Sequence, residues 1–248
     1  MFIIVNMRFP WRTDIGLVCL ADGIVGVSFG ATSVAGVGPA GGLAWWVPVA
    51  LSVLVFAGGS QIAAVGVVLG GGSPVAAVLA GAVLNTRMLP YGFAVADVAG
   101  PADTAKAGGV ATVRRWLVRL FGTHVITDES VAFALRQYSP ERRRSAFWAC
   151  GVALFAVWNV SVLLGVALGS AVRDTGAFGL DATFPAVMLA LALPTLTSRP
   201  TRLAAGTGAV IAVALTPVLP AGLPLLAALG GLGIRWKGRR GARSHGDR

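Results

Sequence analysis

The sequence predicts an all-α, polytopic integral membrane protein, a helix bundle of about seven or eight spans at roughly 20 apolar residues per span. Three observations predict it. Only 12% of the 248 residues are charged and 56% are hydrophobic, whereas a soluble domain carries roughly 25% charged residues. Between Gly23 and Thr86 there is no Asp, Glu, Lys, Arg or His. The apolar runs are continuous rather than alternating, which argues against a β-barrel. The net charge of +10 would suit nucleic acid, but the basic residues lie between the apolar runs and at the C-terminus. That is where membrane topology places them, so no nucleic-acid partner is expected.

In chain order, residues 1–11 form a short head with Arg8 and Trp11, and no cleavable leader is expected. A first span is expected over residues 13–37, with Asp14 near its start, Asp22 inside it and a Gly26/Gly30 pair suited to close helix packing. Gly38-Pro39-Ala40-Gly41-Gly42 ends it. Trp45 and Trp46 mark an interface, and a second span is expected over 47–69. Its middle holds the pair Gly58-Gly59, which weakens a helix by about 1 kcal/mol per glycine relative to alanine and permits close approach of another backbone or a ligand. Gly70-Gly71-Gly72-Ser73 is a turn, and Pro74 suits the first turn of a third span over 74–95. That span carries Asn85, Arg87 and Pro90. Pro90 is expected to free the carbonyl of residue 86 beside Arg87.

Residues 97–144 form the long polar stretch, with an amphipathic connector over 99–144. It has one basic cluster at Lys106, Arg114, Arg115 and Arg119 and another at Arg136 and Arg142–Arg144. Thr127 followed by Asp128 and Glu129 reads as a helix start, and Ser139-Pro140 as its end. Residues 120–135 can lie on the surface, dip in or cross. Further spans are expected over 145–171, 178–196, 203–219 and 221–234, followed by a basic tail over 235–248, so that 1–234 is one transporter domain. The basic loops place the C-terminus in the cytoplasm. Counting back, a cytoplasmic N-terminus requires residues 120–135 to cross, and Arg8 and Arg12 favour that arrangement.

Polar groups in an uncharged run are costly in hydrocarbon and therefore paired or functional. Gly58, Gly59, Ser60, Gln61, Asn85 and Arg87 are accordingly read as lining a substrate path. The alternative is that Ser60 and Gln61 only bond neighbouring helices, and that Arg87 only reaches an interface. Asp128, Glu129, His124 and Asp22 are candidates for proton coupling, because carboxylates in partly desolvated sites exchange protons near neutrality. Asp181 reads as a helix-start acid. The sequence has no H-E-x-x-H, G-x-S-x-G or Walker A pattern, so no enzyme is expected. Cys19 and Cys150 lack metal spacing, and no metal or other cofactor is implied.

Val55-Phe56-Ala57-Gly58-Gly59-Ser60-Gln61, Leu84-Asn85-Thr86-Arg87, Thr127-Asp128-Glu129-Ser130 and Gly179-Leu180-Asp181-Ala182-Thr183-Phe184-Pro185 occur in an order and spacing that resemble the AzlC family of branched-chain amino acid exporters, from about residue 14 to residue 232. The resemblance implies a multi-pass bacterial inner-membrane permease exporting valine, leucine, isoleucine or, in some relatives, methionine, driven by the proton-motive force. It also implies a small AzlD-type membrane subunit as partner. It carries roles to Gly58, Ser60, Gln61, Asn85, Arg87, Asp128 and Glu129. The family often has a histidine after the arginine; Met88 stands there in this chain and brings no titrating group. No role is carried to Asp22. Other readings are the membrane subunit of an ATP-driven transporter docking an ATPase through residues 99–144, an exporter of another small zwitterion, or a scaffold whose polar groups only hold helices together.

Overall fold

The computed structural model describes residues 11–35, 41–101, 110–171, 196, 198–219 and 223–231. Every regular element among them is helical. The expected span over 178–196 with Asp181, and the tail over 235–248, lie outside the described residues.

Two long helices make the frame. α1 (Trp11–Val34) and α9 (Pro140–Ala171) are the described helices long and apolar enough to cross a membrane. Their seam is made of small residues. A methyl group at Gly30 would collide with the backbone of Val162 and Val166, one at Gly165 with Val27 and Ala31, and one at Gly169 with Ala31. Gly23 and Gly26 face Ser161 and Trp158, or the side chain of Val157, in the same way. Partner numbers rise together, so α1 and α9 are parallel, and their backbones touch because no side chain stands between them. Pro140 opens α9 instead of closing the preceding helix. Proline at a first helical position loses no intrahelical bond, and the Ser139 hydroxyl accepts from the Arg142 amide. The Arg142–Arg144 end of the bundle is called the basic end below.

The expected second span is not one span. α2 (Trp46–Leu54) starts at the end opposite the basic one, where the Leu43 amide bonds the Ser33 carbonyl near the end of α1. It descends alongside α9, with the Ser52 hydroxyl donating to Asn159 Oδ1 at 2.8 Å, until Phe56 lies edge-on to Phe155 with ring centroids 5.0 Å apart. There Phe56 adopts φ +43°, and α3 (Gly58–Leu69) begins. In one straight helix, residues 51 and 61 would be about 15 Å apart. Instead Gln61 Nε2 is 3.1 Å from the Leu51 carbonyl oxygen, so the chain has turned back. Residues 46–69 form a helical hairpin that enters the bundle to mid-depth and leaves by the same end.

α4 (Pro74–Asn85) is capped by the Ser73 hydroxyl, which accepts from the Ala76 amide at 3.2 Å, and has Pro74 at the expected place. It packs against α3, Gly81 lying on Ser60 and Ala64. Thr86 and Arg87 interrupt the hydrogen-bond pattern but keep helical dihedrals, so α5 (Met88–Ala94) and α6 (Ala96–Ala99) continue the path to the basic end. Pro90 does not leave the Thr86 carbonyl free, since the Leu89 amide takes it at 3.2 Å in a tightened turn. At the basic end Trp148 Nε1 and Arg144 both donate to the Val98 carbonyl, and Arg143 donates to the Ala94 carbonyl and pairs with Asp97.

A second hairpin enters from that basic end. In α7 (Val110–His124), Gly122 meets Ala99 and the Trp148 ring, and Val125 then meets Gly151, so the last turn of α7 runs inward beside α9. Thr127 caps α8 (Asp128–Leu135) through a capping box with Ser130, which satisfies two helix-start donors. α8 packs back along α9 and reaches Pro140 after residues 136–139. Residues 120–135 therefore dip rather than cross. The parallel α1–α9 pair still puts the start of α1 at the basic end, because the 46–69 run fails to cross as well.

α10 (Arg199–Leu215) is started by Ser198, whose hydroxyl accepts from the Thr201 amide. The expected 221–234 span appears as a short α11 (Leu223–Ala227) and a 3₁₀ turn (Ala228–Gly231). Gly208 and Gly231 let that turn lie directly on α10.

The seam yields a stability prediction. Gly30→Val or Gly165→Val should destabilise the detergent-solubilised protein by roughly 1–3 kcal/mol or more, the cost of overpacking. A Cβ at Gly16 meets nothing within 4 Å, so Gly16→Ala should keep or slightly raise the thermal unfolding midpoint, alanine being the better helix former.

Candidate functional site at the meeting of two helix breaks

The tips of the two hairpins meet at mid-depth, and the site follows from how each break disposes of its backbone groups. A bulky residue at positive φ is rare and costs on the order of 1–3 kcal/mol unless its surroundings hold it. Phe56 is held by rings, with His124 5.9 Å and Phe155 5.0 Å away between centroids. The reversal leaves the last carbonyls of α2 without their usual partners. The Leu51 carbonyl takes the Val55 and Phe56 amides as well as Gln61 Nε2. The Val53 carbonyl lies 2.8 Å from His124 Nε2. A carbonyl oxygen only accepts, so this ring nitrogen carries the proton.

Beside this junction opens a cleft of about 670 Å³, within the range of small-molecule sites. Phe56, Met88, Leu89, Phe93 and Ile126 give it an apolar lining, and Asn85, Thr123 and His124 add polar groups. Gly92 also lines it, and a Cβ there would meet nothing within 4 Å.

Two residues past Asn85, Arg87 Nη1 is 2.8 Å from Asp128 Oδ2. This ion pair joins the α4–α5 break to the tip of the second hairpin. Arg87 is 44% exposed and Asp128 19%, so the pair can be reached from the open side. The other carboxylate oxygen of Asp128 is buried without a hydrogen-bond partner among the described residues. The guanidinium also lies over Gly59, where a Cβ would sit 3.4 Å from Nη2, and Gly58 faces the Trp158 ring at 3.1 Å. The glycine pair thus admits an arginine on one side and an indole on the other. Asp22 on α1 is close enough to Glu129 and Asp128 to feel their charge, so three carboxylates gather here, of which Asp128 holds the guanidinium.

The sequence-derived candidates therefore fall into three groups. Arg87, Gly59, Asp128, Glu129 and Asp22 gather around the ion pair. Asn85 lines the cleft and accepts from the Ser60 hydroxyl at 3.3 Å. Ser60 and Gln61 are 3% and 1% exposed; they brace the first hairpin and do not line the cleft. His124 lies on the cleft side, against Phe56, Phe155 and the Val53 carbonyl, rather than in the carboxylate cluster.

Sequence reasoning missed Phe56 and Trp158. Phe56 in the αL region had no glycine or asparagine signal, and the buried Trp158 Nε1 has no partner among the described residues. The buried Asp14 likewise has an unpartnered Oδ1. Cys19 and Cys150 are free and buried in the core, as expected, and no group of three metal-ligating side chains occurs among the described residues.

No curated protein and no solved structure matches the chain. The model of the AzlC protein family matches residues 18–172, an interval that holds the glycine seam, both hairpins, the cleft and the ion pair. AzlC proteins are membrane transport proteins of a branched-chain amino acid transport family and are not enzymes. A match of that extent over the site-bearing part of the sequence shows that this chain belongs to the AzlC family.

Proposed function

We propose that this chain exports valine, leucine, isoleucine and similarly sized relatives such as methionine across the bacterial inner membrane, driven by the proton-motive force and working with a small AzlD-type subunit. The observation that carries the reading is the Arg87–Asp128 ion pair, set at the junction of two hairpins and beside an apolar cleft. The basic end faces the cytoplasm, following the positive-inside rule, and the C-terminal tail lies on that side. An aliphatic side chain enters the apolar part of the cleft. Asn85 bonds the polar head of the amino acid, and its carboxylate competes with Asp128 for Arg87. Displaced from Arg87, a carboxylate of the Asp128, Glu129 and Asp22 cluster holds the ammonium group of the amino acid while ionised and releases it once protonated from outside. Substrate and proton are then alternatives at that cluster, the exchange that export against an inward proton gradient requires.

Gln61 acts as a brace in this scheme. Its amide holds the Leu51 carbonyl, so the substrate path it belongs to is kept in shape rather than lined by it. Gly58 and Gly59 supply the close approach that lets Trp158 and Arg87 sit against the start of α3.

The direct test is export from cells that lack their own exporters, loaded with branched-chain dipeptides, with and without a candidate small subunit. Faster efflux of free valine, leucine, isoleucine or methionine that collapses with a protonophore is expected; efflux indifferent to the protonophore would sink the coupling. Arg87→Ala and Asp128→Asn should each lower export about tenfold or more, corresponding to a loss of at least ~1.4 kcal/mol, while membrane insertion stays intact. Unchanged transport in Arg87→Ala removes the role given to the pair. Gly92→Leu should fill the cleft and discriminate against the larger substrates. A methylene is worth about 1–3 kcal/mol in such a pocket, so competition assays should show roughly tenfold loss for leucine and methionine relative to alanine or valine.

A further inference from the structure

The first three turns of α7 present a face that nothing among the described residues covers. Val113, Trp116, Leu117 and Leu120 recur at helical spacing and are each more than half exposed. Arg114 and Arg119 stand beyond the two edges of this stripe, and Arg115 lies on the far side of the helix, at 100° per residue. Only the last turn of α7 enters the bundle, where Phe121 packs on Trp148 and Phe155 and Gly122 lies on Ala99. The rest of the helix leaves the bundle beside the basic first turn of α9.

We propose that α7 lies in the membrane interface at the basic end, its apolar stripe in the acyl boundary and its arginines on anionic phospholipid headgroups. Three observations select a lipid surface as the occupant. The helix combines a strongly amphipathic pattern with charged residues that are all basic up to His124, a combination that partitions into interfaces. Its exposed stripe runs directly into the buried contacts of Phe121, which lie on α9, a helix with further exposed apolar side chains at Val152, Val160, Leu163 and Leu164, so the apolar surface is continuous from α7 to the span. Arg142 and Arg144 at the start of α9 belong to the same basic end, giving one positive surface for a negative headgroup layer. The consequence is mechanical. α7 ends on Thr123 and His124, which line the cleft, so the depth of α7 in the interface sets the position of one wall of the site.

This inference rests on the membrane reading of the chain and not on the identity of the solute. The test uses full-length protein in vesicles of phosphatidylcholine with or without phosphatidylglycerol, with a nitroxide on a cysteine introduced at Val113, Leu117, Leu120, Arg119 or, as a bilayer reference, Leu164. Both native cysteines are buried. Labels at 113, 117 and 120 should be about twofold or more favourable to oxygen over a water-soluble nickel chelate compared with the label at 119, as expected of a helix half-sunk in the interface. The stripe should sit deeper when phosphatidylglycerol is present, and Arg114→Gln with Arg119→Gln should abolish that dependence on the anionic lipid. Stripe labels as open to nickel as position 119 overturn the proposal, because the helix then stands in water. Stripe labels shielded from both reagents also overturn it, because a protein surface then covers α7. A label at Leu164 that remains oxygen-accessible in either failure leaves the membrane reading standing.

Discussion

The rest of the structure depends on satisfying the carbonyls that are released where α2 turns back into α3. In hydrocarbon each unsatisfied backbone group costs several kcal/mol, and irregular backbone survives there only when buried in protein or lining a cavity. This chain meets the requirement with a side chain from elsewhere: His124, from the tip of the other hairpin, takes the Val53 carbonyl. Gln61, ten residues onward in the same hairpin, adds a third bond to the Leu51 carbonyl, which already holds the Val55 and Phe56 amides, and so ties α3 to α2. The first hairpin is thus incomplete without the second. Their shared aromatic cluster of Phe56, His124 and Phe155 holds the strained φ of Phe56 that makes the reversal possible. The glycine seam of α1 and α9 supplies the rigid wall on which both hairpins rest.

Electrostatics follows the same geography. Arginines elsewhere among the described residues lie on α7 or near the ends of the other helices, while Arg87 sits at a helix break in the middle of the path and takes Asp128 as partner. A surface ion pair is worth little, and a half-exposed one such as this is not there for stability. Its value lies in exchangeability: the partially accessible guanidinium can trade one carboxylate for another at small net cost, whereas a fully buried pair would lose several kcal/mol on separation. Asn85, Arg87 and Asp128 therefore belong to a region held less tightly than the Gly30–Gly165 contact.

Much of this site was legible in the sequence, and the part that was not has a common cause. Gly58-Gly59, Asn85-Thr86-Arg87 and Thr127-Asp128-Glu129 stood out because polar or helix-weakening residues interrupted apolar runs, and the Thr127 cap and the Pro74 start lie where local chemistry puts them. Hydropathy, however, adds up along a chain without sensing direction. Residues 47–69 total enough apolar length for one span, and only the contact of Gln61 with Leu51 reveals two half-length helices folded together. The same blindness hides which neighbours Ser60 and Gln61 bond; the structure gives them Asn85 and Leu51, the helix-bonding alternative of the two readings. Pro140 was misread for a different reason: proline ends a preceding helix and begins the next with equal ease, and only the Ser139 cap distinguishes the two.

The order of elements carries one further step. α1 runs from the basic end to the far end and is followed by a hairpin that dips in from the far end. α4 to α6 run from the far end to the basic end and are followed by a hairpin that dips in from the basic end. The second unit repeats the first upside down, a pattern that sequence inspection could not detect and that transporters use to build a site with two exits. Each hairpin tip supplies part of the cleft wall, one through Phe56 and the other through Thr123 and His124. Because the Val53 carbonyl and His124 tie the tips together, neither hairpin can withdraw without breaking that bond and unstacking the rings around it. In the proposed transport cycle, opening toward either end works against these contacts, and a solute that replaces some of them would shift the balance, since a ligand moves an equilibrium only by its differential affinity for the two states.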